Sequence, residues 1–361
     1  MAVIGRLASV LVFVAGCGFD VPPPSYINGT EVLMVRHSVE IGPLGPERVG
    51  PAFAGMEDAP IAEVLPGDRL RLEAVVVDQD GRRLPEHELE TLWVQCGRSC
   101  LEARDDFEYW LFDPRCDELE DYSAGRACVL GTGDGAFELE VPQLDPRSLS
   151  GLPLGYASLI GFFGVVAWDG RAAEDCWASR RGDQSQLDNC GFIYHDVLIG
   201  PLWWAIANAE SLGAESPIEE QLPALVLYQP ANRIPLTPAL TVRVDDEVVA
   251  FGVPPLPTID VDPGAQISID LAFDPLSQSL QRTLIPLGGY TAWKLVDEAV
   301  YSNTASSGAI RRAGADVPVR GHGRFSYDVD PEASPGRSRV LILYRDSRRA
   351  ADVLSLEFEI R

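Results

Sequence analysis

The sequence predicts a mainly β protein of two β-sandwich modules, joined by a disulfide-bearing connector that contains short helices. A turn followed by apolar residues at every second position occurs at residues 66–74 (PGDRLRLEA) and recurs at 263–271 (PGAQISIDL), which is the pattern of half-buried strands. Residues 354–361 alternate strictly between apolar and polar, as expected for an antiparallel strand with one wet face. An even set of cysteines follows an export signal and predicts disulfides.

The amino terminus has the layout of an export signal. Arg6 is its only charge, and residues 7–14 (LASVLVFV) form an apolar run that is far shorter than the ~20 residues of a membrane-spanning helix. We therefore expect residues 1–16 to be a cleaved signal peptide. The alternative role for the segment is an ordinary signal in which the cysteine that follows has no special function.

The residues Val14-Ala15-Gly16-Cys17 resemble the lipobox of bacterial lipoproteins. The resemblance implies a diacylglycerol on the thiol of Cys17, cleavage just before it and acylation of the new amine. Residues 17–30 would then be a lipidated cysteine with a proline-rich, semi-rigid tether. Gly18 stands where an acidic residue would retain enterobacterial lipoproteins in the inner membrane, so the resemblance favours the outer membrane of the cell envelope.

Length and charge limit the classes of partner. The 361 residues are 46% hydrophobic and carry a formal net charge of −25, which suits two or three folded domains. Such a chain is repelled by nucleic acid and by anionic headgroups. We expect no nucleic-acid partner, and we expect membrane contact through the lipid anchor only.

The two predicted modules are residues 31–170 and 233–361. In each, a tryptophan on an apolar strand follows the Pro-Gly turn by about thirty residues: Trp93 and Trp293. Each then reaches a strongly apolar strand and a polar turn, at 164–170 (GVVAWDG) and 339–346 (RVLILYRD). Turn and strand units with this spacing predict two sandwiches.

At residues 66–81 and 90–96 the first module resembles the immunoglobulin-like and PKD-like modules of bacterial surface proteins. In those modules Pro-Gly precedes the second strand and a tryptophan lies on the third. The sequence departs from antibody domains because it lacks an evident cysteine pair between the sheets, and because residues 96–128 are inserted. The order of the whole chain resembles uncharacterised lipoproteins of myxobacteria, which implies a cellular setting but no activity.

The predicted connector comprises residues 171–232. It contains a loop closed by Cys176 and Cys190, and then two short helices. One helix is expected from Pro201 to near Gly213. The other is expected from Ser216, which caps it, to Pro223.

Six cysteines remain besides Cys17. We expect the Cys176–Cys190 disulfide because these two lie apart from the others. The remaining four allow three connectivities, among which neighbour pairing, Cys96–Cys100 and Cys116–Cys128, is our prediction. A zinc site would be the alternative, but the four lack the paired C-x2-C knuckles of zinc ribbons.

Catalytic signatures are missing from the sequence. There is no G-x-S-x-G elbow, no H-E-x-x-H helix and no phosphate-binding loop. The four histidines, His37, His87, His195 and His322, are far apart in the chain. We predict no catalytic residue, no metal and no cofactor, although a site assembled from distant His, Asp and Ser residues stays open.

These observations predict a non-catalytic lipoprotein with a structural or adhesive role, or a role as subunit of an envelope complex with a protein partner. The alternative is a lipoprotein that binds glycans or a cation through the acidic and aromatic stretch 102–121. Carboxylates suit calcium, and exposed aromatic rings stack on sugars.

Overall fold

The structure is a computed structural model. It describes residues 27, 29–42, 60–96, 115–118, 128–142, 159–181, 187–199, 233–274, 280–287, 290–297, 301–319, 322–346 and 350–361. The predicted signal peptide, Cys17, most of the predicted tether and both predicted connector helices lie outside these residues.

Module 1 is a sandwich of two sheets. Its strands are β1 (Glu31–Glu40), β2 (Glu63–Val64), β3 (Arg69–Val77), β4 (Glu90–Gln95), β5 (Cys128–Gly133), β6 (Ala136–Glu140), β7 (Leu159–Ala167) and β8 (Cys190–Ile199). One sheet has the order β1-β3-β6 and the other β2-β8-β7-β4-β5. Two 3₁₀ turns (Glu86–Glu88 and Cys116–Glu118) and helix α1 (Ala173–Arg181) complete the described part.

Module 2 repeats this plan. Its strands are β9 (Ala239–Val244), β10 (Glu247–Gly252), β11 (Ile259–Val261), β12 (Gln266–Ala272), β13 (Leu280–Leu287), β14 (Tyr290–Asp297), β15 (Tyr301–Ser306), β16 (Ile310–Val319), β17 (His322–Val329), β18 (Gly336–Arg345) and β19 (Ala351–Ile360). The two sheets have the orders β10-β9-β12-β17-β16 and β11-β19-β18-β15, and β13 and β14 form a separate hairpin.

The strand orders are immunoglobulin-like, with strands A, B, E and D in one sheet and C, F and G in the other. In module 1, β1, β3 and β6 take positions A, B and E, while β4, β7 and β8 take C, F and G. In module 2, β12, β17 and β16 take B, E and D, while β15, β18 and β19 take C, F and G. A short strand pairs in parallel with G in both modules, β2 on β8 and β11 on β19. The predicted mainly β fold of two sandwiches is confirmed.

The carboxyl end of module 1 differs from the predicted boundary at residue 170. Strand β8 falls in the predicted connector 171–232, yet it pairs with β7 from Leu159↔Leu198 to Ala167↔Cys190. If the sandwich ended at residue 170, one side of strand F would be an unpaired sheet edge. In the structure, strand G pairs with strand F on that side. Helix α1, which the sequence analysis did not predict, connects these two strands.

The internal repeat is real at the Pro-Gly turns and at strand F, but not at the second tryptophan. Both turns precede strand B, and the apolar segments ending at residues 167 and 345 are β7 and β18 in equivalent places. Trp93 lies on strand C of module 1 and is fully buried. Trp293 instead lies on β14, in the hairpin inserted between strands B and C of module 2, so it is not the counterpart of Trp93.

Each sandwich has its own core. Leu70, Leu72, Trp93, Ile160 and Phe162 are fully buried in module 1. In module 2 the last strand contributes residues 354, 356, 358 and 360, all buried, as its alternating pattern predicts. Burial of this kind is worth roughly 1.5–3 kcal/mol for each large apolar side chain.

The two modules also pack against each other. The outer face of β3 contributes Val77, which packs with Leu341 of β18 and with Ile27 in a small buried cluster. Ile27 donates its N–H to the carbonyl of Ser306 (2.8 Å), and Arg36 of β1 forms an ion pair with Asp352 at the start of β19. Apolar, hydrogen-bonded and ionic contacts therefore hold the modules together.

Candidate functional site

The most exposed apolar surface in the described part of the chain is strand β10 of module 2. Four large apolar side chains in a run of six residues reach solvent: Val248 (53% exposed), Val249 (43%), Phe251 (75%) and Val253 (57%). Only Ala250 among these neighbours is buried. Contiguous exposed apolar residues of this kind mark interaction sites more often than isolated ones do.

Strand β10 is also the edge of its sheet. It pairs with β9 on one side, from Glu247↔Val244 to Gly252↔Leu240, and no other described strand covers its second side. An edge of this kind carries backbone N–H and C=O groups that can pair with an added strand. Natural proteins protect such edges with charge, proline or a β-bulge. Strand β10 has a register shift between Val248 and Ala250, but it carries no charge after Glu247.

The turn before β10 is acidic. Asp245 and Asp246 both have positive φ (48° and 69°), which is the backbone of the two-residue turn that matches strand twist. The carboxylate of Asp245 accepts the backbone N–H of Gln266 (2.9 Å), so the turn is fixed to the neighbouring strand β12. Asp245, Asp246 and Glu247 thus place three carboxyl groups at the amino end of the exposed strand.

Two arginines on the same sheet share a single carboxylate. Asp270 of β12 forms ion pairs with Arg324 of β17 and Arg243 of β9. The hydrogen bonds from Arg324, and then from Arg243, hold the pKa of the Asp270 carboxyl below its usual value. Asp270 offsets one of the two guanidinium charges, and the three carboxyl groups of Asp245, Asp246 and Glu247 exceed the one that is left, so the amino end of β10 keeps a net negative character. We call β10 with Asp245, Asp246 and Val253 the β10 edge.

Sequence reasoning missed the β10 edge. Residues 247–253 (EVVAFGV) do not alternate between apolar and polar, and only the first of them is charged. The sequence of this segment therefore does not show which side chains face the core. The available signal was the pair of aspartates directly before an apolar run, which is typical of a hairpin whose second strand is short.

The cysteines pair locally. Cys116–Cys128 and Cys176–Cys190 are disulfides, and both are pairs that the sequence predicts. Cys96 is also disulfide-bonded, while its predicted partner Cys100 lies outside the described residues. The Cys176–Cys190 bridge ties helix α1 to the first residue of strand β8.

Two histidines that are remote in sequence meet in module 1. The Nδ1 atom of His37 on β1 lies 2.8 Å from Nε2 of His195 on β8. The Nε2–H of His37 donates to the carbonyl of Ala62 (2.9 Å), so its Nδ1 is the acceptor for a proton from His195. Burial lowers the pKa of His37, which favours the neutral ring. With both His37 nitrogens occupied, the pair fits a structural role.

The residues predicted for the alternative function are largely outside the described part. Within 102–121 the structure describes 115–118, where Arg115 and Asp117 form an exposed ion pair (3.3 Å). Among the described residues, no three His, Cys, Asp or Glu side chains are grouped as a metal site. His87 is exposed and lies near Glu88 (4.0 Å), and the side chain of His322 is not described.

Among the described residues, none of the helices has the length and apolar character needed to cross a membrane.

Comparisons with known proteins give no family. No family model matches the chain, and no curated protein matches it. Solved structures that align include native alpha-2-macroglobulin of Escherichia coli (8% identity, 84% of this chain, 17% of that chain, TM-score 0.20). Another is dimeric latent PorU of Porphyromonas gingivalis (13% identity, 91% of this chain, 24% of that chain, TM-score 0.19). A third is the CupB6 tip adhesin of Pseudomonas aeruginosa (10% identity, 92% of this chain, 98% of that chain, TM-score 0.15). The chain spans less than a quarter of the length of the first two, and none of these likenesses carries an argument about function.

Proposed function

We propose that this chain is a non-catalytic lipoprotein of the bacterial cell envelope that binds a partner protein through the β10 edge. The exposed apolar strand is the observation that carries the binding role, because four large apolar side chains reach solvent beside a strand edge that no other described strand pairs with. The anchor rests on the lipobox resemblance at residues 14–17 and on the tether that follows.

The occupant that fits the β10 edge is an extended apolar segment with basic residues at one end. An added strand gains main-chain hydrogen bonds along β10 and buries Phe251 and its neighbours. Asp245, Asp246 and Glu247 attract a cationic end and repel an acidic one. A second copy of this chain is disfavoured because the carboxyl end of its β10 carries no basic residue to meet the three acids, and because each copy has a net charge of −25.

The binding test uses the full-length protein and a fluorescent synthetic peptide of alternating threonine and valine with two lysines at its carboxyl end. In antiparallel pairing those lysines meet the acidic end of β10. We expect saturable binding of this peptide, measured by fluorescence anisotropy. The same peptide with glutamates in place of the lysines should bind more weakly. The Phe251→Lys variant should bind the lysine peptide with at least roughly tenfold lower affinity.

The matched control is Thr132→Lys, which adds the same charge at an exposed site on β5 of module 1, away from the β10 edge. It should bind the peptide like the wild type. Equal losses of peptide affinity in both variants would show a general charge effect and would contradict the proposal. A dimer in sedimentation that Phe251→Lys dissociates would identify a second copy as the occupant instead, contrary to the proposal.

The anchor has its own test, namely the intact mass of the protein extracted from membranes. A mass that starts at a triacylated Cys17 supports the proposal. A Cys17→Ala variant should lose the lipid mass and leave the membrane fraction. An unlipidated wild-type mass would overturn the anchor, while the peptide result would still decide the role of the β10 edge.

A further inference from the structure

A partly open cavity of about 330 Å³ lies between the two modules. Strands β1 and β3 and the turn after β3 line it from module 1, and β18 and β19 line it from module 2. The size is at the lower end of the range for small-molecule sites, which occur preferentially at domain interfaces. The β10 edge is not part of it.

The wall of this cavity has two chemically different parts. The apolar part comprises Leu33, Val75 and Val77 of module 1 with Leu341, Val353 and Leu354 of module 2. The charged part comprises four arginines, which are Arg36, Arg82, Arg83 and Arg339. No Asp or Glu of the described residues belongs to the lining, although the chain as a whole carries 54 acidic against 29 basic residues.

The arginines are held in place by carboxylates that stand outside the lining. Arg36 pairs with Asp352, Arg83 with Glu73, and Arg339 Nε with Glu357 (3.1 Å). The fourth, Arg82, lies 4.0 Å from the carboxylate of Asp80. Each carboxylate leaves other donors of its guanidinium available, since a guanidinium carries five N–H groups. The Nε atom of Arg36 is buried and has no acceptor among the described residues.

Arg36 and Arg83 also influence each other. Burial lowers the pKa of Arg83 and the positive charge of Arg36 lowers it further, whereas the carboxylates of Glu86 and Asp352 raise it. Two guanidinium groups near each other in a partly dehydrated place repel, and a bound anion between them removes that cost. Planar guanidinium groups match the two oxygens of a carboxylate.

We propose that the cavity between the modules binds a single-chain carboxylate of fatty-acid type, with its carboxylate at Arg36 and Arg83 and its hydrocarbon against Leu33, Leu341 and Val353. An apolar pocket with a few charged groups at one end orients such a ligand, because the chain avoids water while the head keeps ionic partners. The site is independent of the β10 edge and of the lipid anchor.

The probe is decanoate, titrated calorimetrically into the full-length protein, with decanol and inorganic phosphate as comparison ligands. We expect saturable binding of decanoate and at least roughly tenfold weaker binding of decanol, which lacks the charge. Inorganic phosphate, which lacks the chain, should also bind at least roughly tenfold more weakly. Decanol binding equal to decanoate, phosphate binding equal to decanoate, or no saturable decanoate binding would each overturn the proposal.

Two variants locate the site. Glu73→Gln with Arg83→Gln removes one charged contact without leaving an unpaired acid, and decanoate should bind roughly tenfold more weakly. The matched control is Arg337→Gln with Glu359→Gln, which removes a pair on β18 and β19 (3.3 Å) outside the cavity, and binding should not change. Equal losses in the two double variants would contradict the proposed site.

Val353→Phe narrows the apolar part and leaves every arginine in place. Decanoate binding should fall while any weak phosphate binding persists. Circular dichroism of each variant shows whether it is folded, so that a loss of binding is compared only among folded proteins. Unchanged decanoate affinity in folded Val353→Phe would overturn the placement of the hydrocarbon.

Discussion

Gly164 on β7 lies directly opposite Trp93 on β4, and a Cβ atom at position 164 would stand 2.9 Å from Cζ3 of the indole. Trp93 is fully buried and donates its Nε1–H to the hydroxyl of Thr91 (3.1 Å). The ring therefore cannot move aside without losing core contacts and this hydrogen bond.

We expect Gly164→Ala to lower the free energy of unfolding by about 1–3 kcal/mol, the usual cost of overpacking a filled core. Urea denaturation followed by tryptophan fluorescence measures it. Gly314→Ala in β16 is the control, because no atom lies within 4 Å of its added Cβ, and it should change stability by less than about 1 kcal/mol. An equal effect of the two substitutions would contradict the packing explanation.

The sequence predicts the parts of this fold that repeat a local rule. The Pro-Gly turns, the apolar F strands and the alternating β19 depend on neighbours in the chain, and each is found where the pattern places it. Strand β8 was missed because it follows a helix and a disulfide loop, and only its pairing with β7 shows that it belongs to module 1. The candidate sites could not be predicted from the sequence for the same reason. The β10 edge, the His37–His195 pair and the arginine-lined cavity all depend on contacts between residues remote in sequence.

The Cys176–Cys190 disulfide connects helix α1 to the start of β8 across 14 residues. Replacing both cysteines by alanine should lower the free energy of unfolding by about 3 kcal/mol, since the bridge restricts a loop of this length in the unfolded chain. Urea denaturation without reductant measures the loss. Cys176 is fully buried against Phe163 and Trp177, so helix α1 should also loosen.

The control for this prediction is the double alanine variant of Cys116 and Cys128, which removes a bridge of similar separation, 12 residues. Its cost should be similar, but amide hydrogen exchange of residues 173–181 should rise only in the Cys176/Cys190 variant. Equal exchange of α1 in both variants would contradict a specific role of that bridge in holding the helix.

The buried His37 should make stability depend on pH. Burial lowers its pKa below the ordinary value near 6.5, so the unfolded chain binds a proton at a higher pH than the folded one. The contribution of neutral His37 is complete above about pH 6.5 and is lost as pH falls towards the lowered pKa. His195 faces the ring from β8 at Nδ1 of His37, and the backbone carbonyl of Ala62 accepts the Nε2–H of His37.

Replacing His37 by Gln keeps a donor for Ala62 and removes the titration. The slope of unfolding free energy against pH below about pH 6.5 should therefore become shallower than in the wild type. His87→Gln is the control, because His87 is an exposed side chain, and its slope should match the wild type. A wild-type slope in His37→Gln would show that another group causes the dependence.

Leu341 joins the two modules because it points away from the core of module 2. Its neighbours on β18, Val340 and Ile342, are buried in that core, whereas Leu341 packs with Val77 of module 1 and with Ile27, which precedes β1. Leu341→Ala should cost about 2–5 kcal/mol and weaken the coupling, so that thermal unfolding separates into two transitions. Ile342→Ala removes a similar volume from the core and leaves the interface intact, so its unfolding should shift to lower temperature as one transition. A single transition of unchanged midpoint in Leu341→Ala would mean that the ion pair of Arg36 with Asp352 and the backbone contacts hold the modules together without this apolar cluster.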